Sequence, residues 1–316
     1  MLKTNANECI AKAVLGVVSH PRLDLKNPYI VDPGGSASVL PGTGGITYNF
    51  AVGDPAIIET ADHLEPGVSI TLEGKEAESG ALGALNILSC IGNEARVVSG
   101  EAAGSIGTVT GKHGGVEHVM VDFPPEVLEK LAIGDRIQIH SIGQGLRFKN
   151  HPDIAIMNLD PRLLKFMGIE ERQGALVVPV THVIPVAMMG SGIGSRHSFS
   201  GDFDIQVSDR QSLHRHHLTS LRIGDVIAIR DVDCRYGRAI RSDAVSIGIV
   251  VHSSCLVGGH GPGVTVVISS QNESIVPKID SEANIGRCLG IGRYRRRNPT
   301  AWKGKRGRPF SQGKKL

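Results

Sequence analysis

Apolar residues along this chain fall in short runs, partly alternating with polar ones and divided by Gly, Pro and Asp. Residues 46–52, 56–59, 68–72, 96–98 and 116–121 read as strands at the spacing of a barrel or sandwich. Helical periodicity is confined to a few brief stretches. Residues 5–18 carry Ile10, Val14 and Val17 or Val18 at helical spacing behind Asn7 as a cap, which predicts a short N-terminal helix. A helical insertion is expected over residues 81–89. Two connectors are signalled by proline at the first turn: residues 126–131 after Pro124-Pro125, and residues 162–167 after Asp160-Pro161 and before Gly168.

One pattern occurs twice. Leu131-Ala132-Ile133-Gly134-Asp135 leads into Ile137-Gln138-Ile139, and Leu221-Arg222-Ile223-Gly224-Asp225 leads into Ile227-Ala228-Ile229. Each predicts a Gly-Asp turn feeding a strand with one buried face. The expected fold is therefore mainly β (α+β), with two turn-rich domains of barrel or sandwich type at residues 1–145 and 146–282, joined by short helices. Gly pairs at 34–35 and 44–45 are expected to form a surface turn, or a backbone that approaches another group closely.

Composition fits that picture. Forty glycines are scattered through 316 residues, which excludes collagen and implies many tight turns. Five cysteines, odd in number and never in a C-x-x-C pair, argue against a disulfide framework or thiolate zinc site. With no signal-peptide core and no long apolar span, a cytoplasmic protein without a membrane partner is expected. The net charge of +3 conceals a division: from Ala283 onward there are eleven Lys and Arg and no acid, leaving 23 basic residues against 31 acids in the body. Residues 283–316 thus read as a basic, disordered extension whose removal from Arg293 onward should leave thermal stability unchanged. The competing reading is a nucleic-acid contact through phosphates, with Tyr294 and Trp302 stacking on bases.

The chemistry concentrates in residues 181–270, which hold more than half of the chain's 13 histidines. His197, Asp202, Asp204 and His182 are candidate ligands, with Asp209, His214, His216 and His217 in reserve, because imidazole and carboxylate together suit a divalent ion such as zinc. The alternative is a solvated histidine loop and a turn whose acids satisfy backbone donors. Cys255 beside His252 or His260 could form a nucleophile and base, with the N–H groups of residues 257–259 as oxyanion donors, or could pack as a small buried hydrophobe. Two G-x-G-x-G stretches, at 190–194 and 259–263, do not lead into helices and so lack the context of a nucleotide loop.

Arg196-His197, then Gly201-Asp202-Phe203-Asp204-Ile205-Gln206, then Gly224-Asp225 resembles the acetamidase and formamidase family over about residues 181–237. The likeness implies a metal-dependent hydrolase of amide-type C–N bonds in a small molecule, with His197 and Asp204 as ligands and Asp225 in the catalytic group, to which the residues' own chemistry, outside the likeness, adds Cys255 and His260. This sequence inserts Ser198-Phe199-Ser200 after the histidine and has Ile227 where that family has a histidine. Over its whole length, with His252-Ser253-Ser254-Cys255 and Gly259-His260-Gly261-Pro262-Gly263, the chain is similar to an uncharacterised bacterial and archaeal family, domain of unknown function 4438. The alternatives to a hydrolase are a non-catalytic ligand-binding or scaffold protein, and a nucleic-acid-associated one; a homo-oligomer is compatible with each. His63, far away in the first half, is expected to lie outside the site.

Overall fold

The computed structural model describes residues 2–295 apart from residues 24, 25, 27 and 33. The fold is mainly β, with few and short helices. Six antiparallel strands pair in the order Lys12–Val18, Arg136–Ser141, Glu94–Val97, Ile106–His113, His118–Asp122 and Gly67–Thr71. The last returns to the first through Val17↔Thr71 and Val18↔Ile70, so the sheet closes into a barrel and its principal edges pair with each other. Arg136–Ser141 shows why the pattern works. Ile137, Ile139 and Ser141 are buried while Arg136, Gln138 and His140 face solvent, the two-residue period of a half-buried strand.

The N-terminal helix is a correction. Residues 5–18 contain only a single 3-10 turn, Ala6–Glu8, before the strand Lys12–Val18. Val14, Val17 and Val18 satisfy a helical spacing, yet every residue from Lys12 to Val17 finds a partner on Arg136–Ser141. β-branched side chains accept that pairing readily, so tertiary context overrides the local period. Residues 46–59 differ too: only Ile46–Thr47 is strand. The rest is a loop that inserts Phe50, Val52 and Ala56 into the core of the second half, with Gly53 N–H donating to the Ile223 carbonyl at 2.8 Å and Ala56 N–H to that of Leu221 at 2.8 Å.

The expected helices form at Gly80–Leu88, Pro125–Leu128 and Pro161–Phe166. Ser79 caps the first by accepting from the Ala81 N–H, and Asp160 caps the third by accepting from that of Arg162.

The chain leaves the barrel at Ser141 and enters a second sheet at Ile154. That sheet orders Ile154–Ile156, Val264–Ser270, Ala239–Val250, Val226–Asp233 and His182–Pro185. A third, smaller sheet joins Glu170–Arg172, Ala175–Val180 and Ile275–Ile279. One hydrophobic cluster fills the barrel, and the other fills the second half while also taking in Ile91 and Met120 from the first. The halves are therefore packed against each other through shared apolar contacts.

The repeated Gly-Asp turns have the same construction. Asp135 Oδ2 accepts from the Ala132 N–H at 2.9 Å, and Asp225 Oδ2 from the Arg222 N–H at 2.9 Å. Each aspartate closes the turn that launches its strand.

The basic extension begins later than its composition suggests. Asn284 caps a helix at Ile285–Leu289, whose Ile285 is fully buried. Beyond it, Arg293 pairs with both carboxylate oxygens of Asp54 at 2.7 Å, and Arg295 pairs with the buried Asp122. Burial pushes the Asp122 carboxyl up to about 6 even with Arg295 opposing it. Deleting residues 293–316 is thus expected to cost about 2 kcal/mol, because it strips a buried carboxylate of its partner. Deleting 296–316 keeps both pairs and should cost less. Paired urea denaturation curves check this, and equal midpoints for the two truncations would refute it. Trp302 and the basic residues from Arg296 onward lie outside the described residues.

Candidate metal centre

The segment from Asp202 to Gln206 is extended, so Asp202 and Asp204, two residues apart, share a face. It pairs with the Gly-rich stretch before Val264: Phe203 and Val264 exchange N–H to carbonyl bonds at 3.0 Å, and the Ile205 N–H donates to the Pro262 carbonyl at 2.9 Å. His252 follows Ala239–Val250, the strand beside Val264–Ser270. This places the His252 imidazole against both acids, with Nε2 2.5 Å from Asp202 Oδ2 and 3.8 Å from Asp204 Oδ1. Gly263 makes room. A Cβ there would lie 2.0 Å from Asp202 Oδ2 and 2.2 Å from His252 Nε2.

The barrel supplies the other wall. His113 and His118 face each other across the hairpin formed by Ile106–His113 and His118–Asp122. Its turn abuts Gly201, and the Gly114 N–H donates to Asp202 Oδ1 at 2.8 Å. Between the two histidines lies Glu65, fully buried. It accepts from His113 Nδ1 at 2.6 Å, from His118 Nδ1 at 2.9 Å and from the Gly44 N–H at 2.7 Å, and it also bonds the Ser69 hydroxyl. The Gly44-Gly45 pair is thus no plain surface turn. Gly44 has φ +84°, and a Cβ there would meet the His20 carbonyl oxygen at 2.3 Å. Burial opposes the Glu65 charge, but the bonds from His113 and His118 outweigh it and hold the carboxyl well below its ordinary value.

His63 is the clearest correction. It stands in the site, its ring 5.5 Å from that of His113, 5.3 Å from that of His252 and 5.4 Å from that of His260. Its backbone is left-handed, at φ 48°, a conformation costly for a non-glycine residue and common where a site dictates geometry. His63 Nδ1 is 3.0 Å from Asp62 Oδ2, and His260 Nδ1 is 3.1 Å from Asp204 Oδ2.

Charge is balanced around the two acids. Burial opposes the Asp202 charge, yet His252 outweighs it and holds that carboxyl low, whereas burial and the neighbouring Asp202 push Asp204 up to about 7. The buried Arg238 supplies positive charge nearby, with Nη2 donating to the Ser200 carbonyl at 3.2 Å.

The donors fit a divalent ion. One ligand atom from each of His113, Asp202 and His252 lies within 4.8 Å of the others, and the same holds for His63, Asp204 and His260. Glu65 occupies His113 Nδ1, and the Ser253 carbonyl accepts from His252 Nδ1 at 2.9 Å, so each ring turns Nε2 toward the acids. Carboxylate or carbonyl on one imidazole nitrogen and a free second nitrogen is the usual preparation of a histidine for a metal. With His252 Nδ1 protonated, a neutral ring presents a lone pair to Asp202 at 2.5 Å, and such a contact requires a proton or a cation between the two atoms.

Other residues singled out by sequence lie elsewhere. His197 is exposed and belongs to none of the donor groups among the described residues. Asp225 is fully buried, closes its turn and accepts from Asn284 Nδ2 at 2.8 Å, and it belongs to none of the donor groups among the described residues. His182 sits opposite Ile227 on the adjacent strand, yet its Nε2 contacts the His217 carbonyl and Ser220 hydroxyl at 3.2 and 3.1 Å. Asp209 caps the helix Arg210–Arg215, and His214, His216 and His217 flank that helix's end without entering a donor group. Cys255 does reach the site, beside Asp62 and His63, but it is buried, and burial together with Asp62 pushes its thiol up. Burial beside a carboxylate is the opposite of the electropositive setting that activates a cysteine nucleophile. Asp202, Asp204 and His260 are brought together as a group; Glu65, His63, His113, His118 and His252's place as a ligand were missed. The signal lay in the His-x-Glu spacing of 63–65 and in His113-Gly-Gly-Val-Glu-His118, a histidine on each side of a Gly-Gly turn.

A cleft of about 200 Å³ is lined by Asp62 and His63 together with Arg22, Leu23, Leu40 and Thr43. A larger hollow of about 590 Å³ around Gln173, Asp243 and Glu273 is open surface without histidine or cysteine.

A closed β-barrel joined to an open β-sheet, with imidazoles of one meeting carboxylates of the other at their junction, defines the class of protein. The chain belongs to the DUF4438 family: residues 29–165 match its N-terminal domain and residues 166–289 its C-terminal domain, each described as a domain of unknown function. A solved structure titled "Crystal structure of TM1086" is similar, with 45% identity over 90% of this chain and 98% of that one and a TM-score of 0.84. No curated protein matches the sequence. The family description brings no activity with it, and among the described residues no helix is long and apolar enough to cross a membrane.

Proposed function

We propose that this protein is a metal-dependent hydrolase of amide-type C–N bonds in a small molecule. The observation that carries the reading is the buried donor set of His113, Asp202 and His252, its rings oriented by Glu65 and the Ser253 carbonyl, with the His63 ring, which lines the small cleft, beside it. A bound divalent ion, zinc by the chemistry of these donors, would supply a water acidic enough to attack a carbonyl near neutral pH. The chain's own groups do the rest. Glu65 fixes His113, Arg238 offsets the charge of the two acids, and the small cleft limits access to small substrates.

Elemental analysis of protein purified without tag or chelator tests the ion, and ammonia or amine release from a panel of small amides tests the reaction. Wild type should carry bound divalent metal and hydrolyse at least one amide, while Asp202→Asn and His252→Ala should lose both and keep their fold. Wild type that stays metal-free after zinc loading would sink the reading, as would undiminished metal and turnover in both variants.

A further inference from the structure

We infer that the site is built for two divalent cations, an inner one held by His113, Asp202 and His252 and an outer one held by His63, Asp204 and His260. The inference deepens the hydrolase reading and rests on it for the inner ion. Six donors exceed the four positions of a tetrahedral ion, and they divide by geometry into two triads, each with its donor atoms within 4.8 Å of one another. The triads are neighbours. His252 Nε2 lies 2.5 Å from Asp202 and 3.8 Å from Asp204, and the His63 ring stands 5.5 and 5.3 Å from those of His113 and His252.

The outer triad repeats the construction of the inner one. Glu65 accepts from His113 Nδ1 at 2.6 Å, and Asp62 stands in the same relation to His63 Nδ1 at 3.0 Å, so in both triads a carboxylate outside the donor set holds one ring nitrogen and frees the other. The left-handed backbone of His63 is the second, independent sign, because it brings this ring to the junction where the other three gather. Each triad contributes one carboxylate, and both come from the one extended Asp202–Asp204 stretch. His63 of the outer triad also lines the small cleft, beside Asp62. Two ions side by side clamp the attacking and departing atoms of a hydrolysis, typically from about 3.5–4 Å apart. A third group, Asp62, His63 and Cys255, competes for the same imidazole, but its carboxylate is engaged by His63 and its thiol is buried.

Metal-free full-length protein titrated with zinc alone, followed by calorimetry and by elemental analysis after gel filtration, should bind two equivalents. His260→Ala should bind one, with an unchanged circular dichroism spectrum, and Cys255→Ser should still bind two. Saturation of wild type at one equivalent would overturn the second site and leave the hydrolase reading intact, whereas no binding would overturn both. Two equivalents retained in His260→Ala, or loss of one in Cys255→Ser, would also overturn the assignment, the latter by placing the outer ion on the thiol. Cobalt in place of zinc gives an independent readout: a sulfur-to-cobalt charge-transfer band would count against the His63, Asp204, His260 set.

Discussion

Replacing Glu65 with glutamine is expected to destabilise the protein by about 3 kcal/mol, within the range for breaking a buried ion pair by removing one partner. Glu65 is the acceptor for two imidazole Nδ1 groups, one backbone N–H and one hydroxyl, all in a site without exposure to water. Glutamine keeps one carbonyl oxygen but turns an NH2 toward donors that need an acceptor, so at least one buried donor is orphaned. The pH dependence has a definite sign. The folded carboxyl lies below its ordinary 4.5, so its contribution is present above that value and is lost as pH falls through the folded pKa. Chemical denaturation of metal-free wild type and Glu65→Gln across the acid range should show the gap between them closing as pH drops. A gap that stays constant, or a substitution costing under about 1 kcal/mol, would show that Glu65 is not the group holding His113 and His118.

Lys112→Met is expected to cost about 3 kcal/mol as well, for a different reason. The Lys112 side chain is fully buried, yet among the described residues its Nζ pairs with no carboxylate; it donates to the Asn158 side-chain oxygen at 2.8 Å and to the Phe199 and Ile87 carbonyls at 2.7 and 3.3 Å. Methionine fills most of the volume but takes the ammonium donor from the Phe199 carbonyl, while the Ile87 carbonyl and the Asn158 side-chain oxygen keep only Gln144 Nε2, at 2.5 and 3.2 Å. Asn158, itself left-handed at φ 55°, passes the connection on to the Ser198 and Val266 carbonyls at 2.6 and 2.9 Å. Lys112 thereby fastens the loop before Asp202 to the barrel strand that ends at His113, and its loss should weaken zinc binding about tenfold or more, as outer-shell substitutions do. Burial lowers the ammonium to about 8 from 10.5, so between those values the folded chain has released a proton that the unfolded chain keeps. Wild type should therefore gain stability relative to Lys112→Met as pH rises from 8 to 10.5. Denaturation midpoints for both proteins across that window check it. A gap of fixed size would mean that the ammonium keeps its ordinary proton affinity.

Local chemistry in the sequence was enough to specify the fold class, the connector helices and one arm of the site. Asp160 and Pro161 at the head of residues 161–166, and Pro124-Pro125 at the head of 125–128, act within a single turn of chain, and both helices form where those residues place them. The Gly-Asp turns at 134–135 and 224–225 are equally local and launch the strands they announce. Asp202 and Asp204 were legible because an extended segment puts alternate residues on one face whatever lies around it. Only the tertiary structure could decide the rest. Residues 12–18 became a strand because Arg136–Ser141 and Gly67–Thr71 lie beside them, a pairing that spans more than half of the barrel's sequence. His197 read as a ligand through the acetamidase-like Arg196-His197 element and the chemistry of imidazole with carboxylate, but its side chain faces solvent. Glu65, His63 and His113 come from strands and loops of the other half and meet Asp202 and His252 only once the two halves pack. No periodicity along one chain records which side chains will meet across a junction formed by pairing and burial between distant segments.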